Sequence, residues 1–158
     1  MPEVAKAALV SEATAYRYFP DLASLLSEAI AGQLPTPEEA LASAADSQDP
    51  VERIAVATEF LLRHILARQG VVRAMIAATV VHPGEAKARP GLRFGLIDAA
   101  LAPVTPAVDV SQLKRDLAVV VSAEALFSLT DLHGLDPEAA ITSLVHTATT
   151  LVRASLPK

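Results

Sequence analysis

Residues 4–26 read VAKAALVSEATAYRYFPDLASLL, and the reading of this stretch decides the fold. Val4, Ala5 and Ala8 fall on one helical face. Ala5, Ala7 and Ala8 are small enough for a second helix to cross closely. Leu9 and Val10 end the first helix and give the turn two apolar residues. Ser11 is a good N-cap, because its hydroxyl accepts from a backbone N–H one turn in. Thr14 stands where a capping box has Glu or Gln. A second helix over 12–19 turns Ala15 and Phe19 inward, and Glu12, Ala13, Thr14, Arg17 and Tyr18 toward solvent. Pro20 stops it. Asp21 then caps a third helix with Leu22, Leu25, Leu26 and Ile30 as its stripe.

Outward from this stretch, the breaks come as Pro, Gly and Asp. Gly32 and the run 33–37 (QLPTP) close the third helix. Pro37, Glu38 and Glu39 start a short helix to about Ala45, with the acids at its positive end. Asp49-Pro50 is a cap followed by a first-turn proline. The long helix after it buries Val51, Ile54, Thr58, Leu61 and Ile65, pairs Glu59 with Arg63, and ends at Gly70. Residues 71–81 read as a strand or a buried helix, and the helical surroundings favour the helix. Residues 82–91 are a loop, and 92–102 a helix broken by Pro103 and Pro106. Asp109 or Ser111 caps a long helix to about Leu132. Asp136-Pro137-Glu138 starts the last, striped by Ile141, Leu144, Val145, Ala148, Leu151 and Val152. The last two helices each carry a second apolar or small-residue face. That surplus is met either inside one subunit or, more simply, in a twofold four-helix bundle.

Composition sets the outer limits. The 158 residues are 52% hydrophobic but only 4% aromatic, so the core is Ala, Leu and Val, which suits close helix packing. The net charge of −5 argues against a membrane-surface or nonspecific nucleic-acid role for the body. There is no cysteine, hence no thiolate metal site. No apolar run reaches the roughly 18–20 residues that span a bilayer, and no signal-peptide pattern opens the sequence. A cytoplasmic location is expected.

The run VAKAALVSEATAYRYFP, with the leucines after it, resembles the second half of the TetR-family DNA-binding domain, whose pattern is roughly IA..AGVS..T.Y.YF followed by a lysine and paired leucines. Ser11, Thr14, Tyr16, Tyr18, Phe19, Leu25 and Leu26 stand at matching positions. The resemblance implies an all-α fold of two domains. Residues 1–33 would be a partial helix-turn-helix DNA-binding domain, lacking the family's first helix. Residues 34–158 would be a helical effector-binding and dimerisation domain. It further implies a cytoplasmic homodimer, joined through the last two long helices and acting as a transcriptional repressor. Operator DNA would meet Ser11, Glu12, Ala13, Thr14, Tyr16, Arg17 and Tyr18, in half-sites about a DNA turn or more apart. A small, mostly apolar effector would sit among Phe60, His64, Met75, Ile76, Phe94, Ile97 and Phe127, each of which equally reads as ordinary core. The sequence departs from the pattern at Leu9, where the family has a turn glycine that tolerates positive φ, and at Leu22, where it has a phosphate-binding lysine. Residues 1–33 also hold two basic and four acidic side chains. These departures support an alternative, a dimerisation or ligand-binding protein that has lost autonomous DNA binding.

No GxSxG, P-loop, GxGxxG or HExxH is present, so no enzyme, cofactor or metal site is expected. The histidines at 64, 82, 133 and 146 are scattered and read as surface, loop or core residues. Glu124, within an apolar helix, reads as a buried or cavity-lining acid, or as a partly exposed one beside the interface.

Overall fold

In a computed structural model of the chain, residues 1–31, 34–81, 91–105 and 108–156 are described. Every regular element among them is helical. The chain opens with α1 (Pro2–Ala7), α2 (Glu12–Tyr18) and α3 (Leu22–Ala31). α4 (Pro37–Ala40) runs into a 3₁₀ turn at Ala42–Ala44. α5 (Pro50–Ala67) and α6 (Gln69–Val81) follow, then α7 (Leu92–Ala100). α8 (Ser111–Val120) and α9 (Ala123–Phe127) lead to a π-helical segment, Ser128–Leu132. α10 (Pro137–Ser155) is last.

The caps read at Asp21, Asp49 and Asp136 are in place, whereas α8, expected to be capped by Asp109 or Ser111, starts after Val110 with no side-chain cap bond, Asp109 Oδ1 accepting instead from Ser111 N at 2.9 Å. Asp21 Oδ1 accepts from Ser24 N at 2.6 Å, Asp49 Oδ1 from Val51 N at 2.9 Å, and Asp136 Oδ1 from Glu138 N at 3.0 Å. Thr36 and Glu39 add a full capping box on α4. Each such cap stabilises its helix by about 1 kcal/mol.

Two compact units result. The first is Met1–Leu34 with Gln69–Pro90, of which α6 is the described part; the second is Pro35–Arg68 with Gly91–Lys158. The division by contacts thus groups α6, which packs against α3, with the N-terminal helices rather than following a single cut between residues 33 and 34. In the first unit α1 also packs against α2. Among the described residues, those buried in it are Ala5, Ala15, Ile30, Met75 and Thr79. The second unit centres on the α5–α10 pair. α7 bridges α5 and α8, and α4 lies on α5 and α7. Ile54, Leu62, Leu96, Leu117, Leu126 and Val152 are fully buried there, and Phe127 is its one buried aromatic among the described residues.

Three further local expectations change. The helix expected to run unbroken to Leu132 stops at Val121, with φ −82° and ψ 67°. Ser122 restarts it as the N-cap of α9: its Oγ accepts from Ala125 N at 3.1 Å and donates to the Val119 carbonyl at 2.7 Å. The run Val119-Val120-Val121 loses χ1 freedom in a helix, and the Ser122 hydroxyl competes for the backbone, so the break falls where propensity is lowest. Gly70 does not end α5. Arg68 does, and Gly70 lies exposed within α6. Leu22, expected on the apolar stripe of α3, is exposed. The stop at Gly32, the loop over 82–90 and Pro106 lie outside the described residues.

Candidate functional site

α1 ends in a Schellman motif. Leu9 N donates to the Lys6 carbonyl at 3.2 Å, and Val10 N to the Ala5 carbonyl at 3.0 Å. The motif requires a left-handed residue after the cap, and Leu9 supplies it with φ +56°. Leu9 thus takes the backbone conformation that glycine favours, at a strain of about 1–2 kcal/mol. Its side chain is 93% exposed. The turn delivers Ser11 as the N-cap of α2. Ser11 Oγ accepts from Thr14 N at 3.1 Å and shares a hydrogen bond with Thr14 Oγ1 at 2.8 Å.

α2 then buries Ala15 while α1 buries Ala5. The opposite side of α2 is open: Glu12, Ala13, Tyr16, Arg17 and Tyr18 are exposed. The Arg17 guanidinium lies over the Tyr18 ring, 5.2 Å from its centroid, and this stacking orders both side chains. Ser11 is exposed and Thr14 half-buried, with their hydroxyls bonded to each other, so they shape the helix start and one of the two O–H groups remains able to donate. The expected DNA-facing set thus lies on one short helix, with Tyr16, Arg17 and Tyr18 as its projecting part. Lys6 and Arg17 are the basic residues of 1–33, against Glu3, Glu12, Asp21 and Glu28.

The seven residues expected around an effector are divided between the two units. Met75 (buried) and Ile76 (half-buried) belong to the first unit, and the other five to the second. Phe127 is buried, while Phe60 and His64 are half-buried on α5. Phe94 and Ile97 share a cleft of about 290 Å³ with Asp98, Lys114, Arg115 and Ala118. Lys114 Nζ is 2.8 Å from Asp98 Oδ1 across the α7–α8 junction. That pair joins two helices, so no spacing within one helix reveals it.

His64 Nε2 is buried without a hydrogen-bond partner among the described residues, and Nδ1 lies 3.3 Å from Arg68 Nη1. Burial, with a smaller push from Arg68, lowers the His64 pKa below its ordinary 6.5. Glu124 is exposed rather than buried, with Oε2 3.4 Å from Arg93 Nη1. His133 and His146 are exposed, and His82 lies outside the described residues. No cluster of three metal-ligating side chains occurs among the described residues. No single helix among them is long and apolar enough to cross a membrane.

Sequence reading missed Arg53. Its guanidinium donates to the carbonyls of Ala44, Ser47, Ala99 and Ala100 at 2.9–3.3 Å. An arginine on a helix flank carries no signal for carbonyls as far along the chain as 99 and 100.

No protein-family model, curated protein or solved structure matches the chain.

Proposed function

We propose that the chain is a DNA-binding transcriptional regulator, a repressor of the TetR type, working as a homodimer under control of a small effector. The observation that carries this reading is the α1–turn–α2 unit. Its Schellman turn, alanine crossing and capped second helix leave Tyr16, Arg17 and Tyr18 projecting from one exposed face. A short helix with such a face is what a major groove admits. Val119 (72% exposed) and Leu132 (86%) support a dimer made by the C-terminal helices. The outer side of α10 also supports it: the exposed Thr142, Ser143, Thr147 and Thr150 are compact and allow close helix approach. Fluorescence anisotropy against intergenic DNA flanking the gene, over a salt titration, tests the reading. Saturable binding that weakens steeply with salt upholds it, and no binding at low ionic strength sinks it.

A second reading has its own support. Four acidic side chains against two basic ones in residues 1–33, with Leu22 where the family pattern has lysine, describe a face poor in phosphate contacts. On that reading the chain dimerises or binds a ligand and does not grip DNA alone. A dimer by light scattering with no DNA binding selects it.

A further inference from the structure

The cleft between α7 and α8 has a chemistry of its own. Phe94, Ile97 and Ala118 make its walls mostly apolar, and Phe94 is 53% exposed there, unusually open for a phenylalanine. The Phe94 ring is fixed from outside: the Arg93 guanidinium stacks over it, 5.0 Å from the centroid, while also meeting Glu124. Lys114 and Arg115 line the cleft against one carboxylate, Asp98, leaving an excess of one positive charge. Asp109, outside the lining, also feels Arg115. Arg115 spends Nε and Nη2 on Gln112 Oε1, at 3.2 and 3.0 Å, which leaves Nη1 to donate. Lys114 has three donors and meets Asp98 with one.

We infer that this cleft binds a small monocarboxylate with an apolar body, of the size of benzoate or hexanoate. The carboxylate meets Lys114 Nζ and Arg115 Nη1, and the ring or chain lies on Phe94, Ile97 and Ala118. A single negative charge matches the single excess cation. A phosphate or dicarboxylate leaves the apolar walls unused, and a neutral ligand leaves the cations unmatched. As the seat of the effector, this site rests on the regulator reading above; as a binding site, it rests on the cleft's own residues.

The test is a titration of the full chain with benzoate, and with benzyl alcohol as its uncharged counterpart, read by amide NMR shifts and calorimetry. Saturable benzoate shifts confined to α7 and α8 are expected, with benzyl alcohol at least about tenfold weaker. Arg115→Gln, at an exposed side chain that leaves the fold intact, lowers benzoate affinity about tenfold and leaves benzyl alcohol unchanged. Ala118→Phe, which fills the cleft, abolishes both. Equal binding of alcohol and acid, shifts elsewhere, or an Arg115→Gln variant that binds benzoate unchanged overturns the proposal. Benzoate that binds here while leaving DNA affinity untouched upholds the site and removes its regulatory role. DNA binding without benzoate binding removes the site and leaves the regulator reading standing.

Discussion

Arg53 Nη2 donates to the main-chain carbonyl of Ala99 at 2.9 Å, so a side chain of α5 caps the C-terminal end of α7. The same guanidinium reaches Ala100, Ala44 and Ser47. Terminal carbonyls of a helix otherwise lack partners, and a cation there also meets the negative end of the helix dipole. Arg53→Ala is expected to destabilise the second unit by about 3 kcal/mol, the upper end for charged hydrogen bonds. Arg53→Lys keeps the charge but not the planar fork, and recovers less than half of the loss. Urea midpoints of the three proteins check this.

Thr58 is fully buried, and its Oγ1 has no partner among the described residues. A buried hydroxyl without a hydrogen bond is a standing cost. Thr58→Val is therefore expected to raise stability by about 1 kcal/mol. An unchanged or lower thermal midpoint contradicts the assignment of that hydroxyl as unpaired.

Leu9 holds φ +56° with its side chain in solvent. Leu9→Gly removes the strain and adds some backbone freedom to the unfolded chain, for a net gain of up to about 1 kcal/mol. Leu9→Ala gains nothing. Slower exchange of the Val10 amide in the glycine variant, where the Schellman bond forms, is the specific readout.

His64 binds a proton less readily in the folded chain than in the unfolded one, because burial and Arg68 lower its pKa from 6.5. The unfolded state then binds more protons as pH falls through 6.5. Stability is full above that pH and declines below it, until the folded pKa is passed. His64→Gln is expected to flatten this part of the stability curve, measured by denaturation between neutral pH and about one unit below 6.5. Equal slopes in the two proteins contradict the shift.

Arg17 is the one basic side chain of α2. If the helix reads DNA, Arg17→Ala weakens binding about tenfold or more and reduces the salt slope by about one phosphate contact. Tyr18→Ala, which removes the ring that Arg17 covers, weakens binding in the same direction. Anisotropy at two salt concentrations separates the charge from the packing.

Much of the architecture was legible because its signals are local. Asp49-Pro50 and Asp136-Pro137-Glu138 mark helix starts within a few residues, and the Val51 to Ile65 stripe marks a buried face by spacing alone. What failed depended on contacts far apart in sequence. The break at Ser122 turns on a three-valine run losing to one hydroxyl. The membership of α6 turns on its packing against α3. In the candidate sites, the exposed face of α2 was legible from helical periodicity, as were Phe94 and Ile97, three apart on one helix. The Lys114–Asp98 pair and the reach of Arg53 were not, because each joins elements that no single-helix periodicity connects.

The return of α6 to the first unit bears on modularity. The first unit is made from two separate lengths of chain, with α5 lying between them in sequence. A fragment ending at Leu34 carries α1 and α2 intact but leaves α3 without the helix that bears Met75 and Thr79. The first unit is therefore not transplantable as an N-terminal cassette. Exchanging it for another requires grafting both lengths together, and a protease cut between α5 and α6 would be felt in the first unit although it falls dozens of residues beyond Leu34.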